Sequence, residues 1–300
     1  VLEGVGNTEP VRVFRTPGED WQYSGGGYTV MQLAISDTDK KSFSESMQLN
    51  VLNPMQIVNS TYENPLPEKY HHLAATGYHK DGKEVDGKWP IYPEMAAAGL
   101  WTTPSELVQY GIEIQRIIST KQDGIIRYNT ALEMLTPGKN ERGLGPVVTE
   151  HMFSHGGADD GFRTQFVAWR GHPYVVAVMV NSDNAGIISE ILRAVTAEYD
   201  LPGYKVKEKT VIDISRESLK KFVGEYKNQD DEIFKILLSE NGLQFLSEKY
   251  DYRSDLLPQS ETVFFEKRNG VELTFTFEDD VPTGLLWHHF IAKRAKLPPQ

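Results

Sequence analysis

The sequence predicts an α+β chain of two domains. Residues 1–205 read as an antiparallel sheet with flanking helices, and residues 206–300 as a small antiparallel β domain. Up to Tyr199 helical and strand periodicities alternate, whereas beyond about residue 212 the pattern is short strands broken by turn signals. Between them, Leu201-Pro-Gly-Tyr-Lys-Val-Lys-Glu-Lys-Thr210 is a turn followed by a lysine-rich connector. With 300 residues, 39% of them hydrophobic, the chain has material for two domains of about 150 residues and a sizeable core.

In chain order, Tyr28–Ile35 and Ser42–Leu52 read as helices. A third begins at Thr103-Pro104, a hydroxyl cap followed by proline at a first helical position, and Leu107, Ile112, Ile114, Ile117 and Ile118 are expected on its buried face. Arg163–Arg170 and Tyr174–Asn181 read as strands paired through an Arg-Gly-His-Pro turn. The second is nearly all apolar, as a strand covered on both faces would be. Gly186–Tyr199 is an amphipathic helix. Beyond the connector, Glu232–Leu238 with Leu243–Leu246, and Val263–Lys267 with Val271–Phe277, read as hairpins closed by Asn-Gly. Leu285–Ala292 reads as one further strand of a small barrel or curved sheet.

Charge and composition narrow the functional classes. Acidic residues outnumber basic ones, 42 to 31, for a net charge of −11, so the chain lacks the basic excess that binding to nucleic acid or an anionic membrane surface requires. No apolar run reaches the roughly 18 residues of a transmembrane helix. Zero cysteines exclude disulfides, thiol nucleophiles and cysteine-ligated metals from these residues. The chain begins at Val1, without methionine or a signal-peptide pattern, which raises the expectation of preceding residues in the parent protein.

Three stretches carry candidate chemistry. In Phe153-Ser-His-Gly-Gly-Ala-Asp-Asp-Gly161, a histidine on a strand is followed by backbone that a ligand can approach closely, because glycine has no side chain to block it. The N–H groups beyond those glycines can polarise a carbonyl. The plainer reading is a turn carrying a surface histidine. Trp21-Gln-Tyr-Ser-Gly-Gly-Gly-Tyr28 sets three glycines ahead of a helix, either a flexible turn or an anion nest. It contains neither a P-loop nor a dinucleotide fingerprint. Tyr92-Pro-Glu-Met-Ala-Ala-Ala-Gly-Leu-Trp101 is a loop entering a small-residue segment.

Taken in order, Tyr23-Ser-Gly-Gly-Gly-Tyr-Thr-Val-Met-Gln32, Val51-Leu-Asn-Pro-Met55, Ala96-Ala-Ala-Gly-Leu-Trp-Thr-Thr-Pro104 and Ser154-His-Gly-Gly157 resemble the serine β-lactamase and penicillin-binding-protein superfamily. The nearest branch is the class C β-lactamase-like serine hydrolases, of penicillin-binding protein 4* or esterase type. The resemblance covers residues 1 to about 200 and implies a β-lactamase/transpeptidase-like domain. The tail resembles the lipocalin-like extension of some members, on hairpin pattern alone.

In that family a Ser-x-x-Lys pair supplies the acylated serine, a Tyr-x-Asn loop a proton-transferring tyrosine, and a (Lys/His)-x-Gly strand the third wall. The resemblance therefore implies that Tyr23 transfers protons, His155 assists, Gly25, Gly156 and Gly157 contact substrate, and the Ala158 N–H stabilises an oxyanion. It implies acyl transfer to water with no cofactor, on a small-molecule or peptide ester, amide or β-lactam, and an exported or cell-surface location in a bacterium.

Two departures stand out. Gly25 occupies the asparagine position, where it cannot hold a substrate amide, which shifts the expectation from penicillins towards esters or peptides. No serine lies among the 22 residues before Tyr23, so the nucleophile and the N-terminal strands are expected on a preceding segment, joined to this chain or present as a separate fragment. The one formal Ser-x-x-Lys, Ser218-Leu-Lys-Lys221, lies beyond the connector. The rival expectation is a non-catalytic module or inactive fragment binding a peptide, a cell-wall fragment or a partner protein.

Other candidates read as structural. His71-His72 with His79, and His288-His289, contain no H-x-x-x-H pair, so no metal site is expected, only surface or packing roles. Asp159, Asp160 and Glu94 read as polar lining rather than a glycosidase carboxylate pair. Asn59-Ser60-Thr61 is a glycosylation sequon, relevant only to a secreting eukaryote. Trp101, Phe166 and Trp169 read as core.

Overall fold

A computed structural model describes residues 1–6, 8–205, 208–229, 231–240, 242–250, 252–267, 270–287 and 290–295. The chain divides into two compact units, Val1–Lys205 and Val206–Gln300.

In the first unit α1 (Gly25–Asp39) starts three residues before the expected helix, because Ser24 caps it: its hydroxyl accepts from the Gly27 N–H at 2.9 Å. The three glycines thus lie inside the first turn, not ahead of it. The expected Ser42–Leu52 helix is α2 (Phe43–Met47) running into a π turn over Gln48–Leu52, with Ser42 and Glu45 forming a reciprocal capping box. A short α3 (Met95–Ala98) precedes α4 (Pro104–Thr120), which starts on the Thr103 hydroxyl as its sequence indicates. Ile114 and Ile117 are buried on α4, with Leu107 and Ile118 packed beside them. Ile112 is a correction: it falls off that stripe and stands about half exposed. α5 (Tyr128–Met134) completes this side.

The sheet is antiparallel, in the order β1 (Val147–Val148), β2 (Met152–Asp159), β3 (Phe162–Trp169), β4 (Val175–Val180). The β3–β4 hairpin pairs Phe166 with Ala177. Strand alternation divides its side chains between two cores. Phe153, Phe166 and Ala168 pack with Ile114, Ile117 and Ala131 under α4 and α5, while Val167, Trp169 and Val178 pack with Ile188 and Leu192 of α6 (Gly186–Glu198). Both faces of β4 are therefore covered, yet most of its residues stay half-buried. Its outer edge has no strand neighbour among the described residues.

The second unit opens with α7 (Arg216–Leu219) and continues as β5 (Gly224–Asn228), β6 (Ile233–Ser239), β7 (Gly242–Ser247), β8 (Tyr252–Pro258), β9 (Val263–Glu266), β10 (Glu272–Glu278), β11 (Val281–Trp287) and β12 (Phe290–Arg294). Each pairs with the next, and β12 pairs back onto β5, closing an eight-stranded antiparallel barrel that leaves no open edge. Aromatic rings fill it: Phe222, Phe234, Phe245, Phe264 and Phe275 are buried, with Phe222 and Phe275 centroids 4.7 Å apart. The expected strand Leu285–Ala292 is corrected to the paired ends of β11 and β12, with Leu286 opposite Ile291. Asn241, Asn269, His288 and His289 lie outside the described residues.

Candidate active site

Tyr23 immediately precedes the Ser24 cap, and its ring stacks beside that of His155 on β2, centroids 6.2 Å apart and planes inclined by 29°. Both side chains are exposed, Tyr23 by 62%, so the stacked pair faces solvent rather than the core. Gly25 opens α1 against α3, where a Cβ on it would stand 3.9 Å from that of Ala97. Gln32 fixes this neighbour by donating to the Pro93 carbonyl at 3.1 Å and accepting from the Ala96 N–H at 2.9 Å.

On β2, pairing with β1 stops at Phe153 and Ser154. From His155 through Gly156, Gly157 and Ala158 the strand pairs only with β3, leaving its other edge without a strand neighbour among the described residues. Gly157 also allows close packing, because a Cβ there would meet Thr164 Oγ1 at 2.3 Å. The structure thus brings Tyr23 and His155 together, with the two glycines and Ala158 continuing along the strand from the histidine.

At the end of β2, burial pushes the Asp159 carboxyl up to about 6; Arg163 opposes the rise and Glu94 adds to it. Glu94, the residue ahead of α3, has a buried Oε2 without a hydrogen-bond partner. Asp160 is turned elsewhere: its backbone N–H donates to the Tyr92 hydroxyl at 3.2 Å, and its carboxylate lies 3.4 Å from His79 Nδ1.

Sequence reasoning did not single out Glu106, Arg163 or Asp183. Arg163 pairs with Asp183 at 2.8 Å, and Glu106 is buried beneath the sequon segment, where Asn59 Nδ2 donates to it at 3.1 Å. The sequon amide is therefore engaged within the fold. Ser218 and Lys221 belong to the second unit and do not form a dyad. The Ser218 hydroxyl bonds that of Ser215 at 2.8 Å, and the Lys221 ammonium lies over the Phe222 and Phe277 rings at 5.3 and 5.1 Å.

Comparison with known proteins places the chain in a family. The Beta-lactamase family model matches residues 4–196. Penicillin-binding protein 4* of Bacillus subtilis is 24% identical over 297 residues, a match covering 88% of this chain and 63% of that protein. Protein flp of Staphylococcus aureus is 25% identical over 179 residues, covering 55% and 34%. The chain thus spans less than two thirds of the length of either relative. In fold it is similar to the octameric penicillin-binding protein homologue from Pyrococcus abyssi, with a TM-score of 0.54 and 19% identity across 93% of this chain and 66% of that one. The chain belongs to the Beta-lactamase family, within the serine β-lactamase and penicillin-binding-protein superfamily.

Proposed function

We propose that the protein is a serine hydrolase working through an acyl-enzyme on an ester, amide or β-lactam, with its nucleophile supplied from outside these 300 residues. The stacked approach of Tyr23 to His155 carries the reading, because it joins a phenol and an imidazole from segments over a hundred residues apart beside glycine-rich backbone. In this reading Tyr23 relays the proton between nucleophile and leaving group, His155 holds the phenol by hydrogen bonding or charge, and the Ala158 N–H meets the oxyanion. Gly25, Gly156 and Gly157 let substrate lie against backbone. With Gly25 where the family has asparagine, esters or peptides are favoured over penicillins. The chain divides functionally at residues 205 and 206, and the barrel is a lipocalin-like appendage.

A second reading, a non-catalytic module or inactive fragment binding a peptide, a cell-wall fragment or a partner protein, is favoured for this chain alone because Ser218 bonds Ser215 and Lys221 lies over Phe222 and Phe277. Denaturing intact-mass spectrometry after fluorophosphonate treatment separates the two. An adduct on a longer or associated polypeptide bearing a Ser-x-x-Lys pair supports the hydrolase. An adduct on the 300-residue chain itself overturns the assignment of the nucleophile. No adduct on any form supports the binding module.

A further inference from the structure

Away from Tyr23 and His155, three segments distant in sequence meet around one imidazole. His79 lies in the loop after Gly77, Asp160 in the β2–β3 turn, and Asp183 just beyond β4. His79 Nδ1 lies 3.4 Å from Asp160 Oδ1 and 3.2 Å from Asp183 Oδ2, and all three donor atoms fall within 4.8 Å of one another. We propose that His79, Asp160 and Asp183 form a binding site for a divalent transition-metal ion of the zinc type, which clips these three segments together.

His79 Nδ1 hydrogen-bonds Asp183 Oδ2 at 3.2 Å, with Asp160 Oδ1 at 3.4 Å from the same nitrogen. A divalent cation would take the place of the proton these atoms share. Ligands about 2.05 Å from a tetrahedral zinc stand roughly 3.3–3.4 Å apart, which both nitrogen–oxygen separations approach. One imidazole with two carboxylate oxygens is a donor set for zinc, cobalt or manganese, and water would complete the coordination.

The surroundings orient the donors. Asp183 Oδ1 is occupied by Arg163 Nη2 at 2.8 Å and by the Gly161 N–H at 3.1 Å, which turns Oδ2 towards His79. Backbone bonds tie the same segments: the Asp183 N–H donates to the Tyr78 carbonyl at 2.9 Å, and Asn181 Nδ2 to the Thr76 carbonyl at 2.8 Å. Gly161, at φ +76°, permits this crossing, since a Cβ there would fall 2.9 Å from the Gly77 Cα. Arg163 adds a positive charge next to one ligand, so the affinity should be micromolar rather than nanomolar. Asp160 lies five residues along the chain from His155, roughly 16 Å in extended backbone, which makes the metal a clip rather than a participant in chemistry at the tyrosine.

The test is a Zn²⁺ titration of the chelator-stripped chain in competition with a chromophoric chelator, with Co²⁺ absorption as a second readout. The expected result is one ion per chain with micromolar affinity and a tetrahedral Co²⁺ spectrum. His79→Ala and Asp183→Asn should abolish binding. Asp160→Asn, on an exposed turn where folding is not at risk, should weaken it at least tenfold, with the Zn²⁺-induced shift of the His79 ring resonances needing correspondingly more metal than in the wild type. Absence of binding at 100-fold the protein concentration overturns the proposal, as does binding that Asp160→Asn and His79→Ala leave unchanged.

Discussion

The Ser60 hydroxyl donates to Glu106 Oε2 at 2.5 Å, joining two buried residues 46 positions apart. The other carboxylate oxygen accepts from the Val58 and Asn59 N–H groups at 3.0 and 2.9 Å and from Asn59 Nδ2 at 3.1 Å. Burial alone would raise this carboxyl, but the donors from Ser60, Asn59 and Val58 outweigh it and hold it below the ordinary range. Replacing Glu106 by alanine removes the shared acceptor of these donors, of which Ser60 keeps Thr102 Oγ1 at 2.7 Å while Val58 and Asn59 are exposed, and should cost about 1–3 kcal/mol in denaturant unfolding.

The same site sets a pH dependence. With a folded value below the unfolded carboxylate value of about 4.3, the unfolded state binds more protons in that window, so stability rises with pH. The contribution is complete above the unfolded value and disappears as pH falls through the folded one. Thermal melts from pH 7 to pH 3 should fall more steeply for wild type than for Glu106→Gln, which cannot titrate there. Equal slopes would remove Glu106 as the source.

Tyr23 offers a cleaner test of mechanism, because its exposed ring adds little to the core. In any form of the protein that shows hydrolase activity, Tyr23→Phe should leave the melting temperature nearly unchanged while lowering kcat about a hundredfold or more. An unchanged kcat takes Tyr23 out of the mechanism.

Strands β5 to β12 form a closed barrel with an aromatic core, so the segment from residue 206 on should fold when expressed alone. A cooperative melt followed by near-ultraviolet circular dichroism would show it. Phe245→Ala, which empties a site packed against Phe234 and Trp287 with centroids 5.6 and 4.6 Å away, should cost about 3–5 kcal/mol. A non-cooperative melt of the wild-type segment would make the barrel dependent on the rest of the chain.

How much of this is legible in sequence depends on the range of the forces involved. The β3–β4 hairpin is readable because a valine-rich apolar run follows an Arg-Gly-His-Pro turn, and α4 because its Thr103 cap and apolar stripe are local. The α1 start is misread because glycine lowers helix propensity, whereas the capping bond from Gly27 to Ser24 outweighs it in the first turn. Leu285–Ala292 reads as one strand because no glycine, proline or asparagine interrupts the apolar run, although the pairing of Leu286 with Ile291 divides it. In the candidate site, Tyr23 and His155 are found through motif order. Glu106 and Asp183 carry no local signal, since Glu106 meets Ser60 from 46 residues away and Asp183 meets Arg163 and His79 from 20 and 104, and only the fold brings them together.

Gly111 sets two effects of known sign against each other. It lies within α4, where alanine would favour the helix by about 1 kcal/mol. A Cβ at this position, however, would stand 2.6 Å from Val175 Cγ1 and 2.8 Å from Phe166 Cε2, closer than real Cβ contacts come. Phe166 cannot retreat, because its ring packs between Tyr110 and Phe153 with centroids 5.9 Å from each. The helix must instead lift from the sheet, and overpacking of this kind costs about 1–3 kcal/mol. Gly111→Ala should therefore destabilise the first unit despite its better helix propensity. Denaturant unfolding checks it: a lowered midpoint with an unchanged slope is the expected result, and a raised midpoint would mean that α4 packs less tightly on β3 and β4 than these distances indicate.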